Sequence, residues 1–124
     1  MSAPNIVNVA TITAKTSYLD LSTTNATTLL SNAASSNKVF KVNVIYVANV
    51  DGTNNADITL SVNSAASGGG TAYHIAKTVV IPADSTLVVV DKNSAIYLEE
   101  DRSIVATASA ADDLEVVVSY EELS

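Results

Sequence analysis

The sequence is poor in the residue types that carry most enzyme chemistry. It contains no cysteine and one histidine, His74, so disulfides, thiolate nucleophiles and zinc sites of the usual Cys/His composition are excluded. His74 lies inside a predicted strand, and no Gly-x-Ser-x-Gly motif accompanies it, whereas a nucleophilic triad needs a base beside its nucleophile. We therefore expect a non-enzymatic protein with no catalytic residues, no metal and no cofactor.

Basic residues and long apolar runs are also scarce. Acidic residues number 13 against 6 basic ones, and the resulting net charge of −7 at pH 7 would repel the phosphates of nucleic acids. No run approaches the roughly eighteen apolar residues of a membrane-spanning helix, and the start of the chain lacks the regions of a signal peptide. We expect no nucleic-acid partner, no membrane contact and no export by an ordinary signal.

The abundant residues favour strands and turns. Apolar residues make up 48% of the 124 residues and are chiefly Val, Ala, Ile and Leu, while the polar share is mostly Ser, Thr and Asn. A chain of this length forms one domain. The sequence predicts a single all-β domain over residues 1–124, an antiparallel β-sandwich or jelly roll of about eight to nine short strands, with residues 1–5 as an extended N-terminal segment.

Turn signals recur about every eight to twelve residues, which is typical of a sandwich or barrel. The pattern predicts strands at residues 6–13, 18–22, 39–49, 56–63, 72–81, 86–90, 96–98, 103–109 and 114–121. For residues 27–30 the sequence allows either a further strand or a loop. Residues 32–37 favour a loop over a helix, because capping residues outnumber helix formers there. Gly68-Gly69-Gly70 lacks the Lys-Ser/Thr of a phosphate loop and predicts a flexible hairpin tip.

Two groups of oxygen-bearing side chains could be cation ligands. They are Glu99, Glu100 and Asp101, and Asp51, Asn55 and Asp57. Successive extended residues point to opposite faces, so the first group favours a solvated turn in which Arg102 pairs with a carboxylate. The second group fails the EF-hand pattern and favours a hairpin connection. Cation binding by either group stays open.

Four strands are apolar on both faces, which is the most informative feature of the sequence. The segments are 40–48, 79–81, 87–90 and 116–118. A two-layer sandwich has one interior, so the second apolar faces are covered either by the chain's own loops or by another subunit. The second interpretation predicts a homo-oligomer, with a trimer favoured. The candidate interface residues are Ile6, Val7, Val9, Ile45, Val47, Val80, Val88, Val90 and Val117.

Aromatic residues are few, and the five tyrosines are Tyr18, Tyr46, Tyr73, Tyr97 and Tyr120. Sugar-binding modules on sandwich folds present aromatic platforms. Because these tyrosines are spread singly over five predicted strands, core or rim positions are favoured over a platform.

Several segments resemble small virion structural proteins of tailed bacteriophages, especially those of marine and cyanobacterial phages. They are TLVVV at 86–90, IYLEEDRSI at 96–104, LEVVVSYEE at 114–122, KVFKVN at 38–43 and VANVDG at 47–52. The likeness covers about residues 5–122 and is one of pattern and composition. Such proteins commonly have Glu-x-Gly-Asp before the strand at Ile104, where this chain has Asp101-Arg102 without the glycine.

The resemblance implies a β-sandwich mounted on a phage particle that assembles in the host cytoplasm. It favours a capsid decoration (cement) protein, which binds the major capsid protein or other virion proteins through apolar sheet faces and its N-terminal segment. Residues 1–6 adding as a strand to a neighbour's sheet edge are one route of attachment. A tail, neck or fibre component and a glycan- or receptor-binding sandwich module remain as alternatives.

Overall fold

The computed structural model describes residues 4–124 and is an antiparallel β-sandwich of two sheets. Nine strands are described in this part of the chain. They are β1 (Ile12–Asp20), β2 (Thr27–Asn32), β3 (Val39–Asn49), β4 (Ala56–Asn63), β5 (Ala72–Ile81), β6 (Thr86–Val90), β7 (Ile96–Leu98), β8 (Arg102–Ala108) and β9 (Leu114–Leu123). Two 3₁₀ turns, Ile6–Asn8 and Lys92–Ser94, are its described helical elements. Within residues 4–124 no helix is long and apolar enough to cross a membrane.

The order of the strands in the two sheets defines the topology. The first sheet runs β1-β9-β3-β6, with β7 also paired with β3, and the second runs β2-β8-β4-β5. All these pairs are antiparallel, and β6 and β7 share one position beside β3, separated by the second 3₁₀ turn. This is the order of a jelly roll, in which two Greek keys enclose one core. The predicted fold class is confirmed.

The core lies between the sheets and is built from alternate strand residues. In β9 the residues Leu114, Val116 and Val118 are buried, whereas their neighbours along the strand are exposed or half-buried. Ile58 and Leu60 of β4 belong to the same buried cluster from the second sheet. Full burial of each such side chain contributes about 1.5–3 kcal/mol. The period-two pattern therefore fixes which face of these strands is internal.

A β-bulge in β3 changes which residues of that strand face the core. The register with β9 shifts between Val42 and Val44, so Val42 points inward before the bulge, and Ile45 and Val47 point inward after it. A second shift, between β3 and β6, places Val90 in the core as well. A bulge exchanges the inner and outer sides of a strand beyond it. In β3 and β6 the internal residues therefore fall on both sides of a simple alternation, and this makes both faces look apolar in the sequence.

Most strand predictions match the structure, and two are wrong. Strands 39–49, 56–63, 72–81, 86–90 and 96–98 are observed with the predicted bounds, strands 103–109 and 114–121 within two residues, and residues 27–30 belong to β2. The predicted strands 6–13 and 18–22 are replaced by a 3₁₀ turn and the single strand β1.

A local cap and a distant partner explain that difference. The Asn5 side chain accepts a hydrogen bond from the Val7 amide at 2.9 Å, and the Asn8 amide donates to the Asn5 carbonyl at 2.9 Å, which bends the chain into a 3₁₀ turn. β1 pairs with β9 without interruption, so pairing extends the strand through a polar stretch. Of the predicted N-terminal segment 1–5, residues 1–3 lie outside the described part, and Asn5 is extended.

Buried asparagines fasten the loops at the ends of the sandwich. Asn49 is 2% exposed; its side-chain amide donates to the carbonyls of Asn54 at 3.0 Å and Ile81 at 2.9 Å, and its Oδ1 accepts from the Asp51 amide at 3.0 Å. Asn32 and Asn63 are also buried and hydrogen-bonded to backbone groups. No buried side-chain polar atom of residues 4–124 lacks a partner.

Candidate assembly interface

The outer face of the first sheet carries a continuous row of apolar and aromatic side chains. Val117 stands opposite Tyr18 on one side and Tyr46 on the other, and Tyr46 stands opposite Val88. Directly opposite side chains lie about 5 Å apart, so the row crosses four strands. Tyr18, Tyr46 and Val88 are 80%, 42% and 49% exposed, and Val117 is half-buried. We call these four residues the outer stripe.

Acidic side chains flank the outer stripe. Asp20 and Glu115 stand opposite each other in the next row, and both are exposed. They border a shallow depression of about 310 Å³ that is lined by residues 18–20 and 115–117. The face therefore presents apolar surface with a negative rim, which is complementary to a partner surface that has a basic rim.

The described part of the N-terminal segment, residues 4–9, lies on the same face as the outer stripe. Ile6 lines one depression with Val39 and Tyr97. The Val39 side chain points outward from β3, yet it is buried. Ile6 and Val7 remain 59% and 90% exposed. The chain's own segment thus covers one end of the outer face and adds exposed apolar residues beside it.

The structure divides the nine predicted interface residues into four groups. Val88 and Val117 belong to the outer stripe, and Ile6, Val7 and the half-buried Val9 belong to the N-terminal segment on that side. Val80 is exposed on the outer face of the second sheet, beside Asp57. The remaining three residues form the fourth group.

Three of the predicted interface residues face the core instead. Ile45, Val47 and Val90 are 0%, 0% and 1% exposed, because the bulges in β3 and β6 turn them toward the second sheet. They are not available to a partner, and we remove them from the candidate interface.

The sequence interpretation missed that tyrosines gather on one face. Tyr18 and Tyr46 are part of the outer stripe, and Tyr97 stands opposite Lys41 on the same side of β3. Tyr120 is buried beside Phe40, and Tyr73 is exposed on β5. The five tyrosines thus lie singly on five strands, as expected, but Tyr18, Tyr46 and Tyr97 share one outer face.

The outer face of the second sheet is polar and is covered by the β4–β5 connection. Ser103 Oγ donates to the Ala65 carbonyl at 2.7 Å, and Ser31 Oγ donates to the Ala66 carbonyl at 2.8 Å. Gly68 turns the connection with a φ of 82°, a backbone conformation that favours glycine. The predicted hairpin at the glycine run is observed, but it is fastened to the sheet instead of projecting as a tip.

The side chains around residues 51–57 hold the backbone. The Asp51 carboxylate accepts hydrogen bonds from the Thr53 amide at 2.8 Å and the Asn54 amide at 3.2 Å, and these bonds lower its pKa. Asn55 Oδ1 accepts from the Ala83 amide at 3.3 Å. The predicted hairpin at 51–57 is wrong, because this segment crosses from β3 in the first sheet to β4 in the second.

The acidic run at 99–101 forms a turn whose side chains diverge. Glu99 is exposed, Glu100 accepts from the Asn37 amide at 3.1 Å, and Asp101 accepts from the Ala66 amide at 3.2 Å. Asp101 adopts a φ of 57°, in the left-handed region that favours glycine, at the position where the motif Glu-x-Gly-Asp would place a glycine.

The predicted pairing of Arg102 with a carboxylate is wrong. Its guanidinium donates instead to the carbonyls of Ser64 at 3.3 Å and Asp101 at 2.9 Å. Over residues 4–124, no group of three or more His, Cys, Asp or Glu side chains is arranged to hold a metal ion. His74 is exposed on β5 opposite Ser61.

Glu122 joins β9 to β1 and to the start of β3 through two ion pairs. Its carboxylate lies 3.1 Å from Lys15 Nζ and 3.0 Å from Lys38 Nζ. Burial acts to raise the pKa of the Glu122 carboxyl, but the hydrogen bonds and charges of Lys38 and Lys15 together outweigh it, so the net shift is downward. A carboxyl group whose pKa is lower in the folded than in the unfolded state stabilises the fold at pH values above the unfolded-state pKa. This stabilisation is lost as the pH falls through the folded-state pKa.

We expect Glu122→Gln to lower the melting temperature at pH 7 by roughly 2–5 °C. The difference from the parent protein should shrink as the pH falls below 4.5 and vanish once Glu122 is protonated in the folded protein, because protonated Glu122 and Gln carry the same charge. Melting curves across this range test the prediction, with Glu115→Gln, an exposed position in the same strand, as the control. A difference that is constant with pH would contradict the role of the ion pairs.

Comparisons with known proteins give two distant structural likenesses and no family. No protein-family model matches the chain, and no curated protein sequence matches it significantly. A chain of the IBDV T13 viral particle is similar over 93% of this chain, at 8% identity and a TM-score of 0.48, and this chain spans only 31% of it. A chain of the virus-like particle of Macrobrachium rosenbergii extra small virus is similar over 98% of this chain and 85% of its own length, at 13% identity and a TM-score of 0.44.

At these identities and TM-scores neither likeness bears on function. The class that the fold and the surface define is therefore a jelly-roll sandwich with one polar, loop-covered outer face and one exposed apolar face.

Proposed function

We propose that the chain is a non-enzymatic virion structural protein, and specifically a capsid decoration (cement) protein of a tailed bacteriophage. It attaches to the major capsid protein or to another virion protein through the outer face of its first sheet and its N-terminal segment. The observation that carries the proposal is the outer stripe, a row of apolar and aromatic side chains of which three are exposed and Val117 is half-buried. The resemblance of the sequence to small phage virion proteins gives the class of partner.

The distribution of polar groups supports this orientation. The outer face of the second sheet is polar and already occupied by the β4–β5 connection, so it has little apolar surface to bury. The net charge of −7 keeps free subunits soluble before assembly. A lasting attachment needs about 1,000 Å² or more of buried surface, which the outer stripe can supply only together with neighbouring residues such as Ile6 and Val7.

A glycan-binding module is the second candidate, and the position of three tyrosines favours it. Tyr18, Tyr46 and Tyr97 are exposed on one face, and exposed aromatic rings can stack against sugar rings. The same face would then bind a receptor glycan, as in a tail or fibre component. Binding of the isolated chain to a glycan array, with loss of binding in Tyr46→Ala, is the result that a glycan-binding role predicts.

A reconstitution experiment tests the proposal. Purified chain is added to phage particles that lack it through deletion of its gene, and the particles are sedimented and then heated. We expect the chain to sediment with intact particles and with tail-free heads, and to raise the temperature at which the heads release DNA. Binding to isolated tails alone would place the chain in the tail or fibre, and binding to neither would contradict a virion role.

A further inference from the structure

The free edge of β1 is the most open strand edge in the described structure. β1 pairs with β9 on one side through nine successive residues, from Ile12 to Asp20, with no shift in register. Every residue of the strand is exposed or half-buried. The strand contains no proline, so a further strand could add along its whole length.

The other sheet edges carry features that oppose strand addition. β5 is interrupted by two register shifts and by Thr78, whose φ is 49°. β2 has a shift between Thr28 and Leu30, and the remaining edge is divided into β6 and β7 by the second 3₁₀ turn. Bulges and short edge strands protect a sheet edge against edge-to-edge pairing, and β1 alone among the described edges has neither. Its one protective lysine, Lys15, is paired with Glu122 of its own chain.

The backbone groups that β1 offers can be assigned from its pairing with β9. Thr11 and Ser124 exchange two hydrogen bonds of 2.9 Å, and the Leu21 amide donates to the Leu114 carbonyl at 3.0 Å. In an antiparallel pair alternate residues bond to the partner strand, so the odd-numbered residues of β1 bond to β9. The amides and carbonyls of the even-numbered residues, with Thr16 in the middle, therefore point to the free edge.

We propose that β1 pairs with β1 of a second copy of this chain, antiparallel across a two-fold axis at Thr16. Centring the pair on Thr16 gives the longest overlap, and it places Tyr18 opposite Ala14 of the second copy. Even-numbered residues then face even-numbered residues, so about ten backbone hydrogen bonds can form. The two first sheets would join into one sheet that presents both outer stripes on the same face.

The charges along β1 are compatible with this pairing. Lys15 is the single basic residue of the strand and is already paired with Glu122 of its own chain at 3.1 Å. In the register centred on Thr16 it stands opposite Ser17 of the second copy, and Ile12 stands opposite Asp20. No like charges face each other, whereas a register centred on Lys15 would oppose two lysines.

A two-fold contact of this kind closes on itself, so the free protein is a dimer in place of the trimer expected from the sequence. The dimer contact uses the edge of β1, whereas the proposed attachment to a particle uses the outer face of the first sheet. The dimer is therefore independent of the proposed function.

Proline at the centre of the free edge tests the pairing. The Thr16 amide does not bond to β9, so Thr16→Pro removes an amide needed only by the second copy and adds a ring that obstructs its strand. By sedimentation equilibrium of the full chain we expect the parent and Thr16→Ala to be dimers with the same dissociation constant, and Thr16→Pro to raise that constant at least tenfold. Circular dichroism and the melting temperature check that the Pro variant stays folded.

If Thr16→Pro does not fold, disulfide cross-linking of Thr16→Cys tests the pairing instead. The chain has no native cysteine, and paired residues across a two-fold strand contact lie about 5.5 Å apart at Cα, within disulfide range. Thr16→Cys should form a disulfide-linked dimer on mild oxidation, and His74→Cys on the β5 edge should not. Three results would overturn the proposal. The first is a parent protein that is trimeric, or monomeric at about 100 µM. The others are a folded Thr16→Pro variant that dimerises as the parent does, and equal cross-linking of the two cysteine variants.

Discussion

Asn49→Ala is expected to lower the melting temperature by about 8–15 °C, a large effect for the loss of one polar side chain. The side chain is 2% exposed and makes three hydrogen bonds to backbone groups of two segments, the β3–β4 connection and the end of β5. Its removal leaves the carbonyls of Asn54 and Ile81 and the amide of Asp51 without those partners. Unsatisfied buried groups cost about 1–3 kcal/mol each, partly offset by water entry, so a loss of about 2–4 kcal/mol is expected.

Thermal or urea unfolding of Asn49→Ala measures this effect directly. Asn93→Ala is the matched control, because Asn93 is exposed in the second 3₁₀ turn and its loss should change stability by no more than about 0.5 kcal/mol. If Asn49→Ala were as stable as Asn93→Ala, the loops between the sheets would not depend on the buried amide.

Val88→Asp is expected to weaken attachment to the particle by about tenfold to a hundredfold while leaving the fold intact. Val88 is 49% exposed at the end of the outer stripe, so a carboxylate there is solvated in the free protein. On attachment it would be buried against the partner surface, and a buried unpaired charge is strongly unfavourable.

Val80→Asp is the matched control for Val88→Asp. Val80 is also a strand valine and is 54% exposed, but it lies on the outer face of the second sheet. We expect Val80→Asp to attach to particles as the parent protein does. Weaker attachment of Val80→Asp alone would assign the contact to the opposite face, and equal weakening of both variants would indicate a nonspecific effect of charge.

The strands whose bounds were predicted correctly share a local signal. β3, β4 and β6 are rich in β-branched and aromatic residues, and turn residues follow each of them, so local propensity and turn chemistry agree there. β1 lacks such a signal over residues 13–17, which are mostly small and polar. Its existence depends on pairing with β9, about a hundred residues away, and local patterns do not report such a partner.

The error in the candidate interface has one physical cause. A bulge inserts a residue and exchanges the two faces of a strand beyond it. Because β3 is apolar at nearly every position from Val42 onward, its sequence is compatible with either face being internal. The pattern alone therefore assigns Ile45 and Val47 to the surface and does not reveal that Tyr46, which lies between them, is exposed. In β9, where Glu115 and Glu121 mark the outer face, the sequence placed Val117 correctly on it.

The gathering of tyrosines on one face could have been predicted only with the strand order in hand. Tyr18 and Tyr46 are distant in sequence and become neighbours of Val117 because β9 lies between β1 and β3. Even where alternation fixes the outer side of a strand, as in β9, the jelly-roll order decides which outer residues form a row.

A cryo-electron microscopy map of the particle, at a resolution that traces the chain, tests the central claim most directly. We predict density for the chain on the head, oriented so that Tyr18, Tyr46 and Val88 contact a neighbouring virion protein and the β4–β5 connection faces solvent. A chain attached through its second sheet, with the outer stripe open to water, would contradict the account.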